Sequence, residues 1–346
     1  MMYRTFTRGI VCLAVILALA TVTTAEAQAQ AKKPLKTITV LAPGPSAVTT
    51  FNFFVADAEG YFREEGLDAK WEVVDGSSQV LQGVAAGKAQ IGRPGPGPVL
   101  AARGRGLDVV WLYNLMPKSN FGLVVKKDSP YKTPADLKKL KVIGVGTADG
   151  AEVAFVRPIL AEAGMQEGRD FAFLPVGDGG MAAAAILRGD IEAYAASITS
   201  DAAVIQRRGI PLRDITPEKY LALFGNGFAA LGSYVKENPD VIKGFGRAMV
   251  RGTKFGMIPA NRSKVLQYCK KGNPQEIEDP ILANAVMDMA LDRMTAPDMS
   301  KGWGYTPPVG MKLWHDTALQ SGFLKTPLPK LEDAYTNEFV NYWNGK

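Results

Sequence analysis

From Thr37 onward, short apolar runs alternate with stretches whose apolar residues recur at helical spacing. Period two or continuous short runs predict strands, and recurrence every three to four residues predicts helices. TITVLA (37–42) is read as a strand, after which Phe51, Phe54, Val55, Ala58 and Phe62 fall on one helical face that ends near Gly66. AKWEVVD, SSQVLQGVAAG, AQIG, GPVLAARG and DVVWLYNL follow as strand, helix, strand, helix and strand. A second set starts at Phe121. It runs through strand FGLVVKK, a helix in TPADLKKL, strand KVIGVG, a helix from about Gly150 to Ala163, strand FAFLPV, helix GMAAAAILRG, strand IEAYAA and helix SDAAVIQRR. In TPADLKKL, Thr133 is the N-cap, Pro134 takes the first helical position and Asp136 serves as the capping-box partner. Alternation of this kind predicts a mostly parallel sheet covered by helices. Past Leu223 it gives way to two long helical tracts, about Pro239 to Met257 and Pro274 to Met294, then WHDTALQSG and EDAYTNEFVNYWN.

The two sets echo each other. VLQGVAAGKAQIG (80–92) and AAAAILRGDIEAY (182–194) both read as apolar helix, glycine, polar residue and short apolar strand, with Gly87 matching Gly189. One such step in each half fits two similar α/β lobes.

Residues before the first strand read differently. Arg4 and Arg8 precede the apolar run Ile10–Val22, and Ala25-Glu26-Ala27 or Ala27-Gln28-Ala29 offers a small-x-small cleavage site. That order is a secretory signal, expected over residues 1–29, and it places the remainder outside the cytoplasm. Its removal takes two arginines and Glu26 and lowers the net charge from +6 to +5. The remaining basic residues are scattered or locally paired, as in KKDSPYKTPADLKKLK, so they read as a solvated face and no nucleic-acid partner is expected. Cys269 is then the lone cysteine and no internal disulfide is expected.

Means of catalysis are few. His315 is the only histidine, and it reads as a surface residue on a helix facing solvent. Cys269 has no histidine near it in sequence and reads as a small, semi-buried hydrophobe. A catalytic zinc needs three protein ligands, which this composition hardly provides, and no metal or cofactor is expected. GVGTADG after KVIGVG lacks the lysine of a phosphate loop and the third glycine of a dinucleotide fingerprint.

What recurs instead is a set of small and polar strand-to-helix junctions: PGPSAVTTFN (43–52), DGSSQ (75–79), RPGPG (93–97), GTADGAE (146–152), GDGGM (177–181) and SITSD (197–201). Each leaves backbone N–H groups free at a helix start, for capping or for a ligand. Gathered in one cleft, they make a polar site that requires no reactive side chain. Arg93 stands out: held by a Gly-Pro loop, it suits bidentate contact with a carboxylate or sulfonate, and its alternative role is a rim arginine bonded to Asp75 or a carbonyl. Phe51, Phe53 and Phe54 offer an apolar wall, although some of them must serve helix packing. Asp149, Glu152, Asp178 and Asp201 bring negative charge to the same loops.

The segment Ala56–Leu67 (ADAEGYFREEGL), the helix ending Ala85–Gly87, the strand Ile91–Gly92 and the step DLKKLKVIGV at Asp136–Val145 resemble the NMT1/THI5-like, or SsuA/TauA-like, substrate-binding proteins of ABC transporters. The likeness covers about Thr37 to Tyr234. It implies a type 2 periplasmic-binding-protein fold: two βα lobes joined by a two-segment hinge, with the ligand cleft between them. The crossings are expected near Leu115–Phe121 and Leu221–Ala229, giving lobe 1 as 35–118 plus 226–346 and lobe 2 as 119–225. The implied function is that of an extracytoplasmic, periplasmic solute receptor, not an enzyme. It would act as a monomer that delivers a small polar organic or oxyanionic ligand to an ABC permease dimer. A ligand sensor for a membrane partner and, more remotely, a pyrimidine-precursor synthase are the alternatives. Ligand contacts carried onto this chain are Ser46, Thr50, Phe51 and Asn52; Ser77, Ser78 and Gln79; Arg93 and Gly95; Thr147, Asp149 and Glu152; Asp178 and Met181; and Ser197 and Asp201.

Overall fold

The computed structural model describes residues 34–346, so the expected signal over residues 1–29 lies outside the described residues. Ten strands form two five-stranded sheets. The first contains β1 (Lys36–Ala42), β2 (Leu67–Val73), β3 (Ile91–Gly92), β4 (Val109–Tyr113) and β10 (Phe228–Leu231), in the order β2-β1-β3-β10-β4. The second contains β5 (Phe121–Lys126), β6 (Val142–Val145), β7 (Ala172–Pro175), β8 (Ala193–Ser197) and β9 (Leu212–Asp214), in the order β7-β6-β8-β5-β9.

The sheets are mixed, not mostly parallel. β1 pairs parallel with β3, and β6 parallel with both β7 and β8, as the βα alternation requires. β10, however, runs antiparallel between β3 and β4, while β5 runs antiparallel between β8 and β9. Each of these strands follows directly after the chain has crossed from the other sheet, and a strand that arrives without a helical crossover is free to enter reversed. β9 and β10 carry little sequence signal: β9 has three residues, where the pattern predicts no strand, and the four residues of β10 fall where the alternation fades past Leu223.

The two crossings run side by side. The Nδ2 of Asn120 donates to the Oδ1 of Asn226 at 2.9 Å, and the Asn226 backbone N–H returns a bond to the Oδ1 of Asn120 at 2.9 Å. Met116 and Gly225 add backbone bonds on either side: Met116 N–H donates to Asn226 O at 3.1 Å and Gly225 N–H to Met116 O at 2.8 Å. Both asparagines are buried, so this exchange satisfies groups that water cannot reach.

The helical tracts are cut where the backbone demands it. The face that starts at Phe51 breaks into helices Phe51–Ala58 and Tyr61–Glu64 because Gly60 between them is left-handed, φ 78°. TPADLKKL forms a 3-10 helix, Pro134–Lys139, with the Thr133–Asp136 capping box in place. The tract expected over 274–294 divides at Asp279, whose carboxylate accepts from Ile281 N–H at 3.0 Å and Leu282 N–H at 3.2 Å and so caps the helix Pro280–Met294.

The long helix Pro239–Gly256 lies along helix Phe51–Ala58, and the last helix, Val340–Asn344, returns to it through Trp343, whose indole N–H donates to Ile242 O at 3.0 Å. A second apolar cluster joins elements of both sheets: Val99 and Trp111 from the first half, Phe121 and Phe155 from the second, and Trp314 from the helix Pro308–Gln320. His315 on that helix is buried rather than solvent-facing. Its Nε2 accepts from Leu328 N–H at 3.2 Å, which folds the C-terminal connection over it. Cys269 is fully rather than partly buried, and burial pushes its thiol up, so it is an inert core residue.

Candidate functional site

Strand ends and helix starts from both halves converge on one cavity of about 360 Å³. Pro43–Ser46 after β1, Ser77 after β2 and Arg93 after β3 line one side. Facing them are Thr147 and Glu152 after β6, Asp178–Gly180 after β7, and Ser197, Ser200 and Asp201 after β8. This is the position that ligands take in open α/β sheets, at the carboxyl ends of strands.

Arg93 is the pivot of the first side. Its backbone N–H donates to Leu41 O at 2.8 Å, which fixes the start of the RPGPG loop against β1. The side chain is 6% exposed; one Nη stands 3.5 Å from Thr49 Oγ1, and Nε has no partner. Burial lowers its guanidinium to about 10. The rest of the loop explains the glycines and prolines. Gly95 N–H donates to Ser77 Oγ at 3.1 Å, Pro96 opens the helix Pro96–Gly104, and Gly95 and Gly97 lie against Ala151 and Ala154 of the facing helix Ala151–Glu162. No side chain larger than hydrogen fits there.

The opposite side is acidic. Burial, reinforced by the charges of Asp178 and Asp149, pushes Glu152 up to about 7. Asp178 is raised by burial and then by Asp75. Asp201 is raised well above the carboxylate range, by burial and then by Asp178, against the bond it accepts from Ser197 N–H at 3.1 Å. Like charges brought close together and away from water favour the protonated forms. Because the folded value of Glu152 lies above its unfolded one, its contribution to stability is full below pH about 4.5 and is lost as pH rises through about 7. The unliganded protein should therefore gain about 1–2 kcal/mol between pH 8 and pH 6, and Glu152→Gln should flatten that slope. Denaturant midpoints across this range test it, and an unaltered slope in the variant would reject the assignment.

Of the residues carried over from the sequence, Ser46, Ser77, Arg93, Thr147, Glu152, Asp178, Ser197 and Asp201 line the cavity. The others are placed elsewhere. Thr50, Phe51 and Asn52 begin a helix whose inner face is claimed by Pro239–Gly256: Asn52 Nδ2 donates to Thr253 Oγ1 at 3.0 Å, and the Phe51 ring covers Gly256. Ser78 and Gln79 lie on the outer side of helix Gly76–Ala85, where Gln79 Oε1 accepts from Asp75 N–H at 3.4 Å. Gly95 is sealed beneath Ala151. Asp149 sits exposed on its turn, and Met181, 63% exposed, points outward across Gly177. Asp75 does not hold Arg93; it contributes its charge to Asp178 instead.

The cavity also takes residues that local sequence gave no reason to choose. Asn120, Phe121 and Asn226 of the crossings form its floor, and Asn273, Gln275, Glu276 and Leu282 reach it from the C-terminal helices. The run Asn273-Pro-Gln-Glu signals a helix start, and Asn273 Oδ1 does accept from Glu276 N–H at 3.3 Å, but capping says nothing of a cavity. Glu276 accepts from Ser46 Oγ at 2.5 Å, Ala47 N–H at 2.8 Å and Val48 N–H at 2.9 Å. Arg207 and Asp279 form an ion pair at 2.6 Å between the helix after β8 and the cap of Pro280–Met294.

Among the described residues no helix is long and apolar enough to cross a membrane, and no group of three or more His, Cys, Asp or Glu is arranged to hold a metal ion.

Comparison with known proteins accords with this geometry. The profile of a family described as NMT1/THI5 like matches residues 48–259. A riboflavin-binding protein, RibY, of Chloroflexus aurantiacus is 25% identical over 300 residues, 83% of this chain and 81% of its own. A formylaminopyrimidine-binding protein of Halalkalibacterium halodurans is 27% identical over 231 residues, 64% of this chain and 66% of its own. Among solved structures, the alkanesulfonate-binding protein SsuA of Xanthomonas axonopodis pv. citri bound to MOPS superposes with a TM-score of 0.66 at 18% identity, covering 88% of this chain and 99% of that one. The shared architecture is the type 2 periplasmic-binding-protein fold, two lobes about a hinge.

Proposed function

Since the chain belongs to the NMT1/THI5-like family of periplasmic binding proteins of ABC importers, we propose that its cavity captures a small polar solute and presents it to a membrane permease. Its close structural relatives are solute-binding proteins rather than enzymes, and such extracytoplasmic components work with a membrane permease and ATPase complex. For this chain the reading is finer. Residues 1–29 are a signal removed on export to the periplasm. Residues 35–118 with 226–346 form one lobe and 119–225 the other. The protein acts as a monomer on a permease dimer, with the Asn120–Asn226 crossings as the hinge about which the lobes close.

One observation carries this reading: Arg93 is a buried cation with an unpartnered Nε, and it faces a cavity lined from both halves of the chain. Such a group is costly to bury alone and gains a partner when a solute enters. Cys269 and His315 both lie outside the cavity lining, so neither serves it as nucleophile or base.

Thermal unfolding against a panel of sulfonates, carboxylates, nitrate, ureas and pyrimidines tests the proposal. A solute present at 100 times its Kd adds about 2.7 kcal/mol by mass action, which should raise Tm by about 5 °C. A flat response across the panel would overturn the receptor reading.

A further inference from the structure

Three features of the cavity bear on what it accepts. First, the backbone donors at the start of its first loop are occupied. The carboxylate of Glu276 takes Ala47 N–H, Val48 N–H and the Ser46 hydroxyl, the donor set that an oxyanion would need at that corner. Second, three further carboxyl groups, Glu152, Asp178 and Asp201, line the facing side. Third, among the described residues Arg93 is the only Lys or Arg on the lining; it is more than nine-tenths buried and its Nε lacks a partner. Thr147 Oγ1 on the acidic side is likewise without a partner.

We propose that Glu276 is a built-in anion that bars oxyanions from the first loop, and that the cavity selects an uncharged solute with N–H donors for Glu152, Asp178 and Asp201 and an acceptor for Arg93. This rests on the receptor reading above and narrows it to a chemical class: amino- or amide-bearing heterocycles rather than sulfonates or nitrate. The argument is one of charge. A second anion beside Glu276 meets its carboxylate and, across the cavity, carboxyl groups that are already held toward their protonated forms and would be held there further, with one guanidinium to offset the charge. A neutral heterocycle meets the acidic side on one hand and a fork of donors on the other, and a protonated carboxyl group, the form burial favours there, pairs with an amino group and adjacent ring nitrogen through two hydrogen bonds, accepting from the amino N–H and donating its O–H to the ring nitrogen. The solutes named in the two sequence relatives, riboflavin and formylaminopyrimidine, are both nitrogen heterocycles.

Titration calorimetry on the purified protein tests this with cytosine, 4-aminopyrimidine, formylaminopyrimidine and riboflavin on one side, and methanesulfonate, nitrate and acetate on the other. At least one heterocycle should bind at least 100-fold tighter than every oxyanion, and Asp201→Asn should weaken it about 10-fold or more. Glu276→Ala, with its donors freed, should have a lower Tm that millimolar acetate or methanesulfonate restores, while the parent protein shows no such response. If the alanine variant fails to fold, Glu276→Gln should still raise methanesulfonate affinity at least 10-fold. Preference of the parent for an oxyanion would overturn the proposal while leaving the receptor reading intact. Glu276 variants indifferent to anions would equally overturn it. Absence of any binding would remove both.

Discussion

Replacing Arg93 with methionine is expected to weaken solute binding by about 100-fold while leaving the unliganded protein as stable as the parent, or more so. The two effects have one cause. Arg93 is buried, its Nε has no partner, and its single side-chain neighbour within bonding range is Thr49 Oγ1 at 3.5 Å. No carboxylate offsets its charge, and desolvation alone lowers its pKa to about 10. At neutral pH it is still charged, so the folded protein bears the cost. Methionine fills a similar volume without charge, and exchanging buried charged groups for apolar ones of like size is commonly neutral or stabilising by about 1–4 kcal/mol. Binding reverses the balance, because an acceptor on the solute would complete the guanidinium; losing one such charged hydrogen-bonding group costs about 2–5 kcal/mol of affinity. Denaturant midpoints without solute and calorimetry with it separate the two. A variant that loses 2 kcal/mol or more of stability and keeps its affinity would make Arg93 scaffold.

Gly252→Val should have the largest effect on stability, a loss of about 3 kcal/mol or more, with Gly252→Ala intermediate. Helix Pro239–Gly256 carries small residues at 244, 248, 252 and 256, one per turn, all buried. Across this stripe lies helix Phe51–Ala58, close enough that a Cβ on Gly252 would fall inside contact distance of the Asn52 carbonyl oxygen, and one on Gly256 inside the Phe51 ring. Neither neighbour can give way. Asn52 is held by Thr253 Oγ1, which itself donates to Met249 O at 2.9 Å, and Phe51 is fully buried. A β-branched side chain must then push the helices apart along their whole contact. Chemical denaturation measures the loss, and a change under 1 kcal/mol would show that the contact can relax.

The same contact explains why the sequence placed Thr50, Phe51 and Asn52 in the cleft and the fold does not. Polarity marks a strand-to-helix junction, but which of its residues face the cavity depends on the rotation of the helix that follows. Here that rotation is set by a glycine stripe 200 residues away. Where the junction residue lies at the strand end or in the short loop before the helix begins, as with Arg93, Thr147, Asp178 and Ser197, local pattern and cavity agree. Asn120 and Asn226 could not be chosen from sequence, since each is an ordinary loop asparagine until the other lies beside it. Glu276 is disguised in another way: its helix-start signal is real, yet its side chain turns from its own helix to the first loop. The fold class was legible because strands and helices alternate regularly. The reversed strands β5 and β10 were not, because direction within a sheet leaves no mark on a run of four to six residues.

The place of β10 in the first sheet has a consequence for the order in which the chain folds. β10 separates β3 from β4, so the sheet begun at Lys36 has a gap until Phe228–Leu231 has been synthesised, and Trp343 packs against Tyr113 only after more than a hundred further residues have followed. The second sheet spans one unbroken stretch, Phe121 to Asp214, and its pairings bridge shorter distances in sequence. The half made first is thus the half assembled last, and during synthesis its strands β1, β3 and β4 wait without their central partner.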